Sequence, residues 1–221
     1  MLVAGLRPVF CMAWTDKISR IVVINLPNRE DRLLSFAKQA EEYSIPYERI
    51  SAIKDVEGAK GLRDTMANLF NDCIEKNLQN CLVFEDDAEM VVPPPIFHDT
   101  VEKVIDQLPE NYWMCFLGCQ ITGSISHFHS PNVIQASKMF STHAVLYSLQ
   151  GMKEAIGHPF SYPIDNYYVD ELEPNGHSYC TYPLLCSQKP DVSDIGGQFI
   201  DWSPFIQARY ETRIGEFNGR G

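Results

Sequence analysis

The residues best equipped for chemistry stand in one stretch, Cys81-Leu82-Val83-Phe84-Glu85-Asp86-Asp87. Cys81 to Phe84 form an apolar run of strand length with a β-branched and an aromatic member, which reads as a buried strand. The run ends in three consecutive carboxylates. Each repels its neighbours and raises their pKa values, so the cluster calls for an opposite charge. A divalent cation supplies one, and hard oxygen ligands suit Mg²⁺ or Mn²⁺. The plain alternative is a solvated acidic turn, and the position of this strand in the fold decides between the two.

The preceding elements set that position. Ile18 to Leu26, with Ile21-Val22-Val23-Ile24 at its centre, is apolar on both faces, as a central parallel strand should be. Asn28 is the expected N-cap of a helix with acidic residues in its first turn and Leu33, Phe36, Ala37 and Ala40 on one face. A second strand, Tyr47 to Ile53, completes a βαβ unit. Lys54 to Arg63 reads as a loop. Asp64 or Thr65 then caps a helix running to Asn77, which delivers the chain to the Cys81 strand. The acidic cluster thus falls at the C-terminal end of a strand in an α/β sheet, the edge where such sheets bind ligands.

Further along, Pro93-Pro94-Pro95 introduces a helix over Phe97 to Leu108, and Tyr112 to Leu117 is another buried strand. Gln120 to Lys138 is polar and turn-rich, the composition of an active-site loop or hairpin. A strand (Phe140 to Tyr147) and a short helix (Leu149 to Ile156) follow. After Pro159 to Pro163 comes a helix over Ile164 to Leu172 with Asp165 near its start, and Tyr179 to Leu185 is the last strand. There is no internal repeat. The expected organisation is an N-terminal arm (1–17), one α/β domain (18–195) with a mostly parallel central sheet and helices on both faces, and a C-terminal tail or lid (196–221).

Composition narrows the function. The formal net charge of -11 excludes nucleic acid as the main partner, because no Lys/Arg cluster offsets it. No apolar run reaches the roughly 18 residues of a membrane span, which leaves only peripheral membrane contact. Seven cysteines in irregular positions, with no Cys-x-x-Cys pair, point to reduced thiols and a cytoplasmic setting. Neither Gly-x-Gly-x-x-Gly nor a P-loop occurs, nor do the serine-hydrolase and zinc-protease signatures. Cys115 and Cys119 read as core packing, and His127 and His129 as solvent-facing.

Taken in order, several short stretches resemble glycosyltransferase family 25, the lipopolysaccharide-biosynthesis and procollagen galactosyltransferase family. They are Ile24-Asn25-Leu26 with Arg29 and Arg32, Phe84-Glu85-Asp86-Asp87, Phe116-Leu117-Gly118, Thr142-His143-Ala144, Pro163-Ile164-Asp165, and Tyr182-Pro183-Leu184 with Gln188 and Ser193-Asp194-Ile195. The similarity spans Ile18 to Ile195. One departure is Gly61-Leu62-Arg63-Asp64-Thr65, where the family usually carries Gly-Cys-x-x-Ser-His.

The resemblance implies a GT-A fold, a UDP-sugar donor, a carbohydrate acceptor and an inverting transfer of a hexose, usually galactose. It assigns Asp87 to the metal and Glu85 to the metal shell or the donor ribose, with Asp86 between them. A metal of this kind stabilises the leaving diphosphate as a Lewis acid. Inversion needs a base opposite the leaving group. Asp165 is the candidate, followed by Asp170 and Glu171, and the plain role for Asp165 is a helix N-cap. Arg29 and Arg32 are placed at the diphosphate, against ordinary pairing with Glu30 and Asp31. His143 is either a ligand or a core histidine. Asn25, Gln188 and Asp194 enter the donor site by resemblance alone. Two other classes compete: a non-catalytic glycan- or nucleotide-binding relative, and a Mg²⁺ phosphohydrolase using Asp86 or Asp87 as nucleophile.

Overall fold

The structure is a computed structural model and describes residues 13–157, 163–192, 194 and 197–219. Most of the expected arm, the stretch Pro159 to Tyr162, and Ser193 and Ile195 of the family-like signature lie outside the described residues. The arm's described end is a helical turn, α1 (Ala13–Asp16), where buried Trp14 donates its indole N–H to His98 Nδ1 at 2.9 Å.

The chain next forms β1 (Ile21–Asn25), α2 (Glu30–Glu42), β2 (Glu48–Ser51), α3 (Gly58–Glu75) and β3 (Asn80–Glu85). All five residues of β1 are buried, and it pairs in parallel with both β2 and β3. Two helix starts differ from expectation. α2 begins after Arg29, not Asn28, because Asn25 Nδ2 donates to the Arg29 carbonyl and the Arg29 N–H closes a turn onto Leu26. α3 begins at Gly58, so much of the expected Lys54–Arg63 loop is helical. Gly61 permits this: a Cβ there would lie 2.3 Å from the Ile53 carbonyl oxygen. Thr65 is thus inside the helix, its hydroxyl donating to the Gly61 carbonyl and accepting the Ile53 N–H at 2.8 Å.

β4 (Ala88–Met90) leads to α4 (Pro94–Gln107), with proline in its first turn where a missing N–H does no harm. The chain continues through β5 (Met114–Phe116), β6 (Gln120–Ile121), β7 (Ile125–Ser130), β8 (Val133–Ala136), β9 (Met139–Phe140), β10 (Ala144–Ser148) and α5 (Leu149–Ala155). α6 (Ile164–Tyr167) passes into a π-helical turn, Tyr168–Leu172. After it come β11 (Ser178–Thr181), β12 (Cys186–Gln188), β13 (Asp191–Val192), β14 (Phe199–Ile200) and α7 (Ser203–Asn218).

Eight strands join in the order β2-β1-β3-β10-β5-β11-β8-β7. β10 and β8 run against the other six, so the sheet is mostly parallel in strand direction. Alternation along each strand divides the core between its two faces. Val22, Ile24, Val83 and Phe116 pack with α3, α5 and α7 on one side. Ile21, Val23, Leu82 and Phe84 pack with α1, α2 and α4 on the other. One expectation holds in form and changes in place, and a second gains detail. The Gln120–Lys138 stretch builds the β7–β8 hairpin at the sheet edge opposite β2, away from the acidic cluster. The C-terminal tail holds a helix of 16 residues, α7, docked through Ile206, Tyr210 and Ile214. Six cysteines, from Cys73 to Cys186, are buried free thiols. Among the described residues no helix is long and apolar enough to cross a membrane.

Candidate active site

The three carboxylates emerge at the C-terminal end of β3, beside the ends of β1 and β2. They line a cleft of about 210 Å³. One wall is made by Leu26, Ala52, Ile53, Asp55 and Leu62, and the other by Gln188, Lys189, Asp191, Ile200 and Trp202. The positions follow from local folding. β3 stops at Glu85 because Asp86 and Asp87 form a turn, and β4 then pairs antiparallel with β12, which sets Gln188 opposite Ala88.

Each carboxylate has a different setting. Glu85 Oε1 accepts the Thr142 hydroxyl at 2.6 Å. Burial, then the charge of Asp87, pushes the Glu85 carboxyl up to about 8. Asp86 is buried and accepts Asn25 Nδ2 at 2.7 Å and Arg32 Nη1 at 3.2 Å. Asp87 Oδ2 accepts Gln188 Nε2 at 3.0 Å, with Arg32 at 3.4 Å. Its Oδ1 is buried without a hydrogen-bond partner, and burial raises the carboxyl above its ordinary value. A buried carboxylate oxygen left unpaired is costly in a finished site and serviceable as a ligand atom.

Arg29 and Arg32 do reach this corner, but each is engaged by the chain's own carboxylates. Arg29 donates to Asp31 and to Asp191 and Asp194; Arg32 donates to Asp191 at 2.8 Å and to the Val192 carbonyl. Glu30 takes no part in the hydrogen bonds and ion pairs of either arginine. Five aspartates (31, 86, 87, 191 and 194) thus meet two guanidiniums, and Glu85 stands beside them. That excess of negative charge repels a phosphorylated ligand unless a cation enters with it.

The other candidates fall at varying distance from the cleft. Asp165 does not line it, and it is not an N-cap either: α6 starts after Pro163. Asp165 Oδ2 accepts the Ser141 backbone N–H at 2.9 Å, next to the Thr142 that holds Glu85, and its charge helps raise Glu85. Burial raises Asp165 too. His143 is buried beneath the site, its Nε2 facing Gly118, and burial lowers it to about 4, so it is neutral at pH 7. The Cys186 backbone beside the ring offsets part of that lowering. Asp170 and Glu171 are exposed on the π-helical turn and do not reach the cleft.

Among the described residues no group of three or more His, Cys, Asp or Glu side chains is arranged to hold a metal ion alone. The donor set nevertheless fits Mg²⁺ or Mn²⁺, which take one or two protein carboxylates together with waters and substrate phosphates. Asp87, with its unpaired Oδ1, and Glu85 are the two carboxylates that would hold it. Sequence reading missed Lys189 and Asp191 and the apolar wall from Ala52 to Leu62. The signal for Asp191 was the need of Arg29 and Arg32 for partners, which local sequence does not locate.

Comparison with known proteins places the fold. No family model matches the chain, and no curated protein does. Among solved structures, A197 from STIV aligns at 12% identity over 82% of this chain and 93% of its own, with a TM-score of 0.48. Mannose-1-phosphate geranyltransferase from Thermus thermophilus aligns at 9% identity over 74% of this chain and 58% of its own, with a TM-score of 0.45. A glycosyltransferase involved in glycosylation of the major capsid of PBCV-1 aligns at 15% identity over 89% of this chain and 98% of its own, with a TM-score of 0.50. The chain has an α/β fold similar to that glycosyltransferase, with the GT-A-like arrangement of a mostly parallel sheet between two helical layers.

Proposed function

We propose that this chain is a divalent-cation-dependent glycosyltransferase that moves a hexose from a UDP-sugar to a hydroxyl of a carbohydrate acceptor with inversion. The observation that carries this reading is the Glu85-Asp86-Asp87 cluster at the C-terminal edge of the sheet, with Asp87 Oδ1 buried and unpaired in a cleft. Galactose as the hexose rests on the family 25 resemblance alone.

The chain's own residues divide the work. Leu26, Ala52, Ile53 and Leu62 offer an apolar wall for the nucleoside. Asp87 and Glu85 would hold Mn²⁺ or Mg²⁺, which supplies charge stabilisation to the departing diphosphate. Gln188 and Arg32 fix the Asp87 carboxylate, and Asn25 fixes Asp86. Asp165 is the proposed base. Its raised pKa makes it the stronger proton acceptor, and the Ser141 N–H orients it.

A second reading, a nucleotide- or glycan-binding relative without turnover, is favoured by one fact: Asp165 stands outside the cleft lining. Calorimetric titration with UDP, with and without Mn²⁺, tests the site, beside the Asp87→Ala variant. Manganese-dependent binding that the variant loses is the expected result. Wild-type protein that ignores UDP under every metal condition sinks the transferase reading. Hydrolysis or transfer of a bound UDP-hexose separates the enzyme from the silent binder.

A further inference from the structure

We infer that Lys189, and not Arg29 or Arg32, is the side chain that receives the donor diphosphate, while the two arginines pin the segment that carries it. The inference rests on the nucleotide-sugar reading of the cleft and names a residue within it.

Arg29 points its guanidinium at Asp31, Asp191 and Asp194, and Arg32 faces Asp86, Asp87 and Asp191. For either to bind a diphosphate, a carboxylate already in place must leave. Arginine forks hold carboxylates with two parallel donors and exchange them at a cost. Lys189 stands differently. Its backbone N–H donates to the Asp87 carbonyl at 2.8 Å, which fixes its main chain at the acidic cluster, and the residue is part of the lining of the same cleft. The ammonium donates to the Ser35 hydroxyl, a neutral partner, and among the described residues it joins no ion pair within 4.0 Å. An ammonium has three donors, so capacity remains for an anion. Lys54, the other lysine at the cleft, is exposed and lies on the nucleoside side with Asp55.

The arginines then acquire a positional role. Asp191, two residues after Lys189, is shared by both of them, as is Asp194. Gln188, one residue before, holds Asp87. Lys189 is therefore fixed on both sides, with its charge uncommitted.

The test is calorimetric titration in Mn²⁺ with UDP and with uridine, for wild type, Lys189→Met, Lys189→Arg and Arg29→Gln, with a thermal midpoint for each. Losing one charge-assisted contact predicts UDP binding weaker by roughly 10- to 100-fold in Lys189→Met. Uridine affinity and the thermal midpoint should stay close to wild type, and Lys189→Arg should recover part of the loss. Arg29→Gln should lower the midpoint and weaken UDP less than Lys189→Met does. Unchanged UDP affinity in Lys189→Met, an equal loss of uridine, or a larger UDP loss at Arg29 each overturns the assignment alone. Wild-type protein that binds neither ligand overturns the nucleotide-sugar reading itself.

Discussion

Glu85 sits where two unfavourable effects add, burial and the like charge of Asp87, and together they hold its carboxyl at about 8. The consequence for stability has a definite sign. Below the ordinary value of 4.5 both folded and unfolded chains carry the proton; above about 8 neither does. Between those limits the folded chain holds a proton that the unfolded chain has released, so stability falls as pH rises through that window. Glu173, raised by burial to about 7 while accepting the Lys138 and Met139 N–H groups, contributes a slope of the same sign. Glu85→Gln isolates the first term, since the amide oxygen can still accept the Thr142 hydroxyl. The variant should gain stability over wild type as pH goes from 5 to 8.5, by roughly 1–3 kcal/mol once cleft water screens the charge. Thermal melts at the two pH values measure it, at about 2–4 °C per kcal/mol for a chain of this size. A constant offset at both values would show that Glu85 is ionised throughout. The carboxylate retained against its own stability is the kind of compromise that binding sites make.

At the scale of elements, the corner between β2 and α3 carries the apolar wall of the cleft, and Thr65 ties it together. Its hydroxyl satisfies the Ile53 N–H while donating to the Gly61 carbonyl. Thr65→Val keeps the shape and removes both bonds, leaving a half-buried backbone donor unpaired. The expected cost is about 1–3 kcal/mol, read from urea unfolding, with faster amide exchange at Ile53. An unchanged midpoint would mean that water replaces the hydroxyl. This corner also shows what local pattern conceals. β1 and β3 were legible because Val22 to Ile24 and Leu82 to Phe84 are apolar on both faces, and the carboxylates at the end of β3 announced themselves by type. The start of α3 was not legible, because what calls for glycine at Gly61 is close contact with the Ile53 and Asp55 backbone after β2 and not its own preference. α7 was hidden for another reason: its buried stripe, Ile206, Tyr210 and Ile214 four residues apart with Phe217 packed beside them, is short, and Phe205 on the same helix is exposed. Asp31, the partner of Arg29 that local sequence offered, does pair with it, but its other partners lie about 160 residues away at Asp191 and Asp194, where no periodicity could link them.

For the whole molecule, charge sets the terms on which an anion can bind. A chain of net charge -11, which gathers five aspartates around two arginines beside its cleft, opposes a diphosphate arriving alone. A divalent cation held by Asp87 and Glu85 would offset most of that excess, and a diphosphate would complete a coordination shell that two carboxylates leave open. Each ligand therefore improves the site for the other, and linkage makes the effect reciprocal. The fold's thermal midpoint reports it, because any ligand that binds only the folded state stabilises it by mass action. UDP alone should leave the midpoint unmoved, and Mn²⁺ alone should raise it slightly. The two together should exceed the sum of their separate effects, by about 2.7 kcal/mol when the second ligand stands at 100 times its Kd. That corresponds to about 5–11 °C at this chain length. Chelation should return the midpoint to its starting value, and Asp87→Asn should abolish the excess while keeping the fold. A full shift with UDP alone would mean that Lys189 and the arginines neutralise the diphosphate unaided, and that the carboxylates at the end of β3 serve some purpose other than holding a cation.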